Sequence, residues 1–233
     1  FIEKPLCLTE EELDAIRAVY EDKAQKGLTL TVGFNRRFSP HADAARKFFA
    51  RRENPLVMTY RVNAGKIPSE HWIQDPAIGG GRLIGEGCHF VDYMLALCGS
   101  LPTSVCCRRI GRHAAGMTDD QFVMTISFAD GSLGSLIYTA GGNSGLAKER
   151  FEAHADGKSL TMDDFLETCL YSGTKRETFS TPKRDKGFKE EMGRFVRAIA
   201  EGGAPVPFEE AWAVTRTCLL AVKSLQSGTT YDI

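Results

Sequence analysis

The chain has 233 residues, of which 42% are hydrophobic and 25% charged, and its formal net charge is −1. This length and composition are typical of a globular protein with a sizeable core, and acidic and basic residues are interspersed rather than grouped. The charge balance therefore argues against nucleic acid and anionic membranes as partners, and no apolar run approaches the ~20 residues that span a bilayer.

The N-terminal part of the chain predicts a helix followed by a strand. Thr9 and Glu12 stand at the spacing of a capping box, and the apolar residues after them recur with a helical period. We therefore expect a helix over residues 10–25, ended by Gly27. Residues 28–34 alternate in polarity and are rich in β-forming types, which predicts a strand.

A second helix, a strand and a long polar connection come next. Ser39 and Pro40 form a helix start, since proline is tolerated in a first turn, and we expect this helix to extend to about residue 51. Residues 55–63 predict a strand. The polar connection then leads to three consecutive glycines and a predicted helix over residues 82–97.

The middle of the chain changes to short strands joined by turns. The Asp-Gly pairs at 130–131 and 156–157 supply hairpin-turn chemistry. An irregular polar crossing is expected over residues 172–186, followed by closing helices over residues 188–201 and 209–226. The predicted strands lie at residues 105–111, 122–128, 133–139, 150–155, 160–162 and 166–171.

Helices at both ends and hairpin-linked strands between them indicate an α+β fold built on a mainly antiparallel sheet. The sequence has no G-x-G-x-x-G motif between a strand and a helix. Residues 141–145 (GGNSG) follow a predicted strand, but the residues after them do not support a βαβ unit. We therefore expect no dinucleotide-binding domain within this chain.

The cysteines and histidines give no sign of a disulfide framework or a metal site. The seven cysteines are scattered, none stands in a C-x-x-C pair, and several lie in apolar stretches. We therefore expect reduced, buried thiols and a cytoplasmic protein. The histidines have no metal-ligand spacing with one another or with cysteines, so we predict no metal site.

Three segments carry a family resemblance, namely residues 3–6 (EKPL), 32–38 (VGFNRRF) and 79–92 (GGGRLIGEGCHFVD). In this order, and with the elements that follow, they resemble the C-terminal domain of the glucose–fructose oxidoreductase, inositol dehydrogenase and rhizopine catabolism (Gfo/Idh/MocA) family. The resemblance covers essentially the whole chain. The sequence of residues 84–92, together with residues 62–65 upstream, further resembles a branch of this family that is fused behind a zinc-alcohol-dehydrogenase-like region.

The resemblance implies an architecture and a reaction. Residues 1–233 are expected to form a single substrate-binding and dimerisation domain, an open sheet with helices packed on one face and a homodimer interface on the other. Residues 1–8 would leave a preceding dinucleotide-binding (Rossmann) domain, which would bind most of the NAD or NADP. The implied reaction is hydride transfer at a carbinol carbon of a sugar, a cyclitol or a nucleotide sugar, and this chain alone is expected to be inactive.

Lys4 matches the lysine of the family's E-K-P motif, and the same match assigns Lys4 and Pro5 to the cofactor site. The resemblance implies that the Lys4 ammonium hydrogen-bonds the reacting hydroxyl, stabilises the developing alkoxide and touches the nicotinamide ribose. Without the resemblance, a lysine at this position would be interpreted as an ordinary surface residue. The catalytic role of Lys4 therefore depends on the family match.

His89 matches the family's active-site histidine, and at about 100° per residue it shares a polar stripe with Gly85 and Asp92. The family often has an aspartate at the position of Gly85. Glu86 lies at a spacing that permits contact with His89, so we expect His89 to exchange the proton with help from Glu86 or Asp92. The glycine also leaves a second hypothesis open, a non-catalytic dimerisation or sugar-sensing module derived from the family.

Asn35, Arg36 and Arg37 follow the end of a predicted strand, a place from which side chains commonly reach a site. The resemblance implies that this stretch lines the substrate pocket, where an arginine could bind a phosphate or a carboxylate with two hydrogen bonds. The alternative for either arginine is a solvated loop or a salt bridge to the sheet. The sequence leaves both open.

Four more residues are candidates for substrate binding. Arg61 and Asn63 end the next predicted strand and lie near the same region by analogy with the family. His71 and Trp72 belong to the long polar connection, and aromatic and polar groups suit the faces and hydroxyls of a sugar. Trp72 could equally be a lid residue that packs on the domain.

Overall fold

In a computed structural model, which describes residues 1–24, 27–110 and 120–233, the chain forms an open mixed sheet accompanied by helices. Within these residues the sheet has nine strands and there are five α-helices. One pair of neighbouring strands is parallel and the other pairs are antiparallel. The predicted α+β fold with a mainly antiparallel sheet is confirmed.

The strands are β1 (Val57–Asn63), β2 (Pro102–Arg109), β3 (Phe122–Phe128), β4 (Leu133–Thr139), β5 (Glu149–Ala155), β6 (Lys158–Asp163), β7 (Glu167–Ser172), β8 (Lys175–Ser180) and β9 (Tyr231–Asp232). Their order across the sheet is β8-β7-β6-β5-β1-β4-β3-β2-β9. The first strand in the chain thus lies in the middle, parallel to β4 and antiparallel to β5. Its last residue, Asn63, consequently lies beside the end of β4 and the start of β5.

The helices are α1 (Glu10–Ala24), α2 (Pro40–Phe49), α3 (Cys88–Cys98), α4 (Phe188–Glu201) and α5 (Phe208–Ser227). Of these, α3 and α5 pack on one face of the sheet, where the ring centroid of Tyr60 lies 4.8 Å from that of Phe90 and 5.6 Å from that of Tyr93. Val57 and Ile137 point to the other face and are exposed. No helix in the described parts of the chain has the length and apolar content to cross a membrane.

Hairpin turns fix the register of the sheet where the sequence predicted them. Asp156 and Gly157 both have positive φ, 51° and 69°, which is the geometry of the type I′ turn that matches the twist of two paired strands. They join β5 to β6, and the pair at 130–131 joins β3 to β4. The predicted end of the first helix at residue 25 and of a strand at residue 111 lie outside the described residues.

The predicted irregular crossing over residues 172–186 is wrong in its first half. Lys175–Ser180 forms β8, which pairs with β7 around a turn at Gly173. As an edge strand β8 is mostly exposed, so it lacks the alternation of apolar and polar residues that indicates a half-buried strand. The predicted strand over residues 28–34 is also shorter than expected, since its pairing is a single bridge at Val32.

In the described parts of the first 34 residues, two extended segments flank a helix. Ile2 pairs in parallel with Val32, and the amide of Gly33 donates to the carbonyl of Ile2 at 2.9 Å. Between these two extended segments lies α1. Parallel pairing across a helix is the unit from which parallel sheets are built, in contrast to the antiparallel strands of the main sheet.

Candidate active site

One helical segment carries the predicted catalytic histidine. After three glycines it contains a π-turn at Leu83–Gly87 and continues as α3. A Cβ on Gly79 would lie 2.4 Å from the Cα of Ile73, so this glycine allows the preceding loop to close against the start of the helix. Gly80 and Gly81 have φ of +70° and +75°, a conformation that favours glycine. A π-turn inside a helix is rare and is often found at a functional site.

The π-turn binds Lys4. The ammonium of Lys4 donates a hydrogen bond to the carbonyl oxygen of Gly85 at 2.8 Å. A Cβ on Gly85 would lie 3.2 Å from the carbonyl oxygen of Gly79, which is tighter than ordinary contact. The close approach of this loop therefore accounts for the glycine at a position where the resemblance suggested an aspartate.

His89 lies one turn further along the helix and is buried. Its Nδ1 atom has no hydrogen-bond partner among the described residues. Burial lowers the pKa of His89 well below its ordinary value, and the nearby cations Arg36 and Lys4 lower it further. The imidazole is therefore neutral at pH 7, and one of its ring nitrogens is buried without a partner among the described residues.

Glu86 is held by two cations rather than by His89. One of its carboxylate oxygens lies 2.9 Å from the Arg82 guanidinium and the other 3.3 Å from the Lys148 ammonium. Burial opposes the ionisation of Glu86, but Lys148 and Arg82 outweigh it and lower the pKa of this carboxyl. Glu86 is thus a paired carboxylate next to the histidine, and within the described part of the chain its contacts do not include the hydrogen bond to His89 that a proton relay would need.

Arg36 belongs to a buried cluster that extends from the sheet. Its guanidinium donates two hydrogen bonds of 2.9 Å to Glu149, the first residue of β5. The Tyr60 hydroxyl donates to the same carboxylate at 2.7 Å, and the Lys186 ammonium donates at 2.5 Å. Burial opposes the ionisation of Glu149, but Arg36 and Lys186 outweigh it and lower its pKa to about 2. Arg36 therefore reaches the site as part of an ion pair.

Asp92 and Arg37 are paired with each other. The Arg37 guanidinium donates to both carboxylate oxygens of Asp92, at 3.0 and 3.1 Å for its Nε atom, and to Glu210 of α5 at 2.5 Å. These hydrogen bonds join the 3-10 helix that contains Arg37 to α3, which contains Asp92, and to α5, which contains Glu210. The structure thus gives Asp92 and Arg37 partners within the chain and does not bring them to the free nitrogen of His89.

The side chains of Asn35, Arg61 and Asn63 each donate to backbone carbonyls of distant segments. The Asn35 amide donates to the carbonyl of Lys186 at 2.7 Å, and Arg61 donates to the carbonyl of Ala147 at 2.6 Å. Asn63 lines a cavity of about 350 Å³ together with the loop between β4 and β5. Of the three, Asn63 is the residue that the structure places against an open space.

His71 and Trp72 lie in the loop that closes against the π-turn. Their rings are 5.7 Å apart, and both side chains are exposed, Trp72 by 59%. Ile73, the next residue, is buried and its side chain would contact a Cβ at Gly85. The loop therefore presents two aromatic rings to solvent at the rim of the site.

Lys148 and Lys186 are site residues that the sequence did not single out. Lys148 follows the glycine-rich loop, and Lys186 ends a segment that the sequence predicts to be an irregular crossing. Both lie close enough to His89 to lower its pKa. The sequence pattern did not indicate a site role for either lysine, because a lysine in a polar connection is usually solvated.

Comparison with known proteins identifies the fold. Residues 55–161 match the model of the GFO/IDH/MocA C-terminal domain, as the sequence segments predicted. A comparison of the sequence with curated proteins finds no significant match.

Among solved structures, an oxidoreductase domain protein from Kribbella flavida is 23% identical, with a TM-score of 0.84 over 100% of this chain and 74% of that one. A levoglucosan dehydrogenase in complex with NADH and levoglucosan is 23% identical, with a TM-score of 0.81 over 99% of this chain and 73% of that one. A putative oxidoreductase from Thermotoga maritima is 20% identical, with a TM-score of 0.79 over 99% and 71%. At these identities the likeness is one of fold.

Proposed function

We propose that this chain, whose residues 55–161 match the model of the GFO/IDH/MocA C-terminal domain, is the substrate-side part of an NAD(P)-dependent oxidoreductase. The reaction is hydride transfer at a carbinol carbon of a sugar, a cyclitol or a nucleotide sugar. The observation that carries the proposal is that Lys4, which is bonded to Gly85 in the π-turn, lies close enough to His89 to lower its pKa, while Nδ1 of His89 has no hydrogen-bond partner among the described residues. The names of two structural neighbours, crystallised with NAD and with NADH, support a nicotinamide cofactor.

The residues at the π-turn fit such a cofactor. The buried Nδ1 of His89 lacks a partner, and the Lys4 ammonium uses one of its three protons on Gly85. Lys4 and Pro5 are the residues of this chain that would contact NAD or NADP. When bound, the nicotinamide accepts or supplies the hydride.

Lys4 and His89 would have different roles in the reaction. The free protons of the Lys4 ammonium can donate to the reacting oxygen and stabilise its negative charge as it develops. The neutral imidazole of His89 can take the hydroxyl proton in the oxidation and return it in the reduction. Burial of the histidine keeps bulk water from competing for that proton.

We place the dinucleotide-binding domain against the first 34 residues. There the parallel pair of Ile2 and Val32 offers open edges, and α1 and residues 28–30 line an apolar groove of about 420 Å³. Val19 and Leu28 in this region are both 60% exposed. A parallel sheet that continues from this pair would cover the groove and bring its cofactor to Lys4.

A homodimer through the open face of the main sheet and a cytoplasmic location complete the proposal. Val57, Leu133 and Ile137 are apolar and exposed on this face, where a second copy would cover them. Ile137→Glu is expected to lower the molar mass in light scattering from that of a dimer to that of a monomer. A monomer at micromolar concentration before the substitution would contradict the dimer.

Turnover in the protein assembled with its dinucleotide-binding domain tests the function. Lys4→Met and His89→Asn should each lower the rate of NADH formation about a hundredfold or more, as expected for loss of general acid–base catalysis. Lys175→Gln, at the exposed hairpin of β7 and β8, is the matched control and should keep the rate. Unchanged turnover in both site variants would remove both residues from the mechanism. Sugar binding without turnover would favour the sugar-sensing module, for which the glycine at position 85 is the supporting observation.

A further inference from the structure

The surroundings of His89 are dominated by cations. Two ion-paired groups lie beside it, one from the sheet and one from the π-turn, and Lys4 stands at the same helix. Among the described residues these groups contain the cations Lys4, Arg36, Arg82, Lys148 and Lys186, and the carboxylates Glu86 and Glu149. Five positive charges thus accompany two negative ones.

Each of these two carboxylates pairs with two cations. Glu149 accepts hydrogen bonds from both Arg36 and Lys186, and Glu86 lies between Arg82 and Lys148. One cation of each group therefore remains without a carboxylate of its own. Lys4, which donates to the neutral carbonyl of Gly85, adds a third. The pairs within the chain do not neutralise the site.

A second observation supports this imbalance. Lys186 donates to Glu149 at 2.5 Å, and such a partner raises the pKa of a lysine. The pKa of Lys186 is nevertheless lowered, first by burial and then by Arg36 and Lys148. A further anion next to these lysines would offset that repulsion, and a cavity lined by Lys148 offers space for one.

The space lies beside Lys148. The cavity of about 350 Å³ is lined by Lys148 and Asn63, by the glycine-rich loop, and by Arg184, which is paired with Asp164. A Cβ on Gly142 would lie 2.1 Å from Oδ1 of Asn63, so this position must be glycine for the loop to approach Asn63. The cavity wall is mainly apolar, but its charged lining residues are two cations, Arg184 and Lys148, against one carboxylate, Asp164. Lys148 also lies close enough to His89 to lower its pKa, so a charged substituent in this cavity would lie near His89.

We propose that the substrate carries an anionic substituent, a carboxylate or a phosphate ester, which Lys148 and Lys186 bind beside His89. This inference rests on the proposed function and narrows its substrate class from sugars in general to acidic sugars. A neutral hydroxyl would leave the cations of the site unneutralised, whereas an anion receives charge-assisted hydrogen bonds from them.

Direct binding to this 233-residue chain tests the inference without a redox reaction. In isothermal titration calorimetry, D-glucuronate, D-glucose 6-phosphate, D-glucose and inorganic phosphate are compared. At least one charged sugar should bind about tenfold more tightly than glucose, and the stronger of the two identifies the group as carboxylate or phosphate. Inorganic phosphate should bind more weakly than the preferred sugar, because it lacks the contacts of the ring.

Lys148→Gln should reduce the preference for the charged sugar over glucose about tenfold. The Lys148 side chain is 38% exposed, so the variant should fold, and Lys175→Gln is the control. Lys186→Gln should have the same effect if circular dichroism shows native folding. Equal binding of glucose and both charged sugars, a preference that survives both substitutions, or no sugar binding would overturn the inference. Turnover of neutral sugars with NAD(P) would uphold the proposed function while the inference fails.

Discussion

Arg36 and Arg37 are neighbours in the sequence and equally buried, with 6% of each residue exposed, yet they belong to different regions. We define the Arg36 cluster as Arg36, Glu149 and Lys186, and the Arg37 cluster as Arg37, Asp92 and Glu210. In the first, two cations share one carboxylate beside His89. In the second, two carboxylates share one cation between helices. Burial and pairing are alike in both, and the sign of the uncompensated charge is opposite.

Local geometry explains how adjacent residues reach such different places. Both arginines lie in the short 3-10 helix Asn35–Phe38, in which successive side chains are about 120° apart. One therefore reaches Glu149 on the sheet and the other reaches Asp92 on α3. The comparison shows that a buried ion pair does not by itself identify an arginine as a ligand-binding residue. On our proposal of an anionic substrate, the net charge of the cluster indicates where a ligand would be favoured.

The largest effect is expected from removing the single carboxylate of the Arg36 cluster. Glu149→Gln leaves Arg36 and Lys186 buried without a counter-charge, and breaking such a pair typically lowers the free energy of unfolding by about 3–5 kcal/mol. Urea denaturation followed by circular dichroism measures this loss. Glu152→Gln, on the same strand but 36% exposed and paired with Arg150, is the control and should cost less than about 1 kcal/mol. Equal losses in the two variants would mean that the buried cluster has no special role in stability.

A smaller effect of the same cluster should appear as a dependence on pH. The folded-state pKa of Glu149 is lowered from 4.5 to about 2, so its ion pairs stabilise the protein fully above pH 4.5. This contribution, about 3 kcal/mol for such a shift, is lost as the pH falls from 4.5 toward 2. Measuring the free energy of unfolding across that range in the parent protein and in Glu149→Gln isolates the contribution. Parallel curves for the two proteins would contradict it.

The sequence predicted the fold better than the site, and the two arginines show why. Turn residues and apolar periodicity are local, so β3, β4 and α4 have the predicted bounds. The partners of Arg36 and Arg37 lie 113 and 55 residues away, and no pattern along the chain reveals which arginine meets which carboxylate.

Family resemblance led to Lys4 and His89, because their motif residues are contiguous. It could not reveal that the π-turn would turn Glu86 toward Arg82 and Lys148. The neutralising partners of a buried carboxylate depend on packing between distant segments. Such a partner can be read only from the folded chain.

The smallest expected effect is a change in the pKa of His89, which should follow substitution of Arg36 but not of Arg37. Arg36 lowers the pKa of His89 through its nearby positive charge, whereas Arg37 is not among the principal causes of that shift. Arg36→Met should therefore raise the pKa of His89 toward its ordinary value, and Arg37→Met should leave it unchanged, although both variants lose a buried ion pair. Titration of the histidine ring signals by NMR measures both, with His41 as an internal reference in each variant. The same pKa for His89 in the two variants would mean that the charge of the Arg36 cluster does not reach His89, and the distinction between the clusters would then be one of location alone.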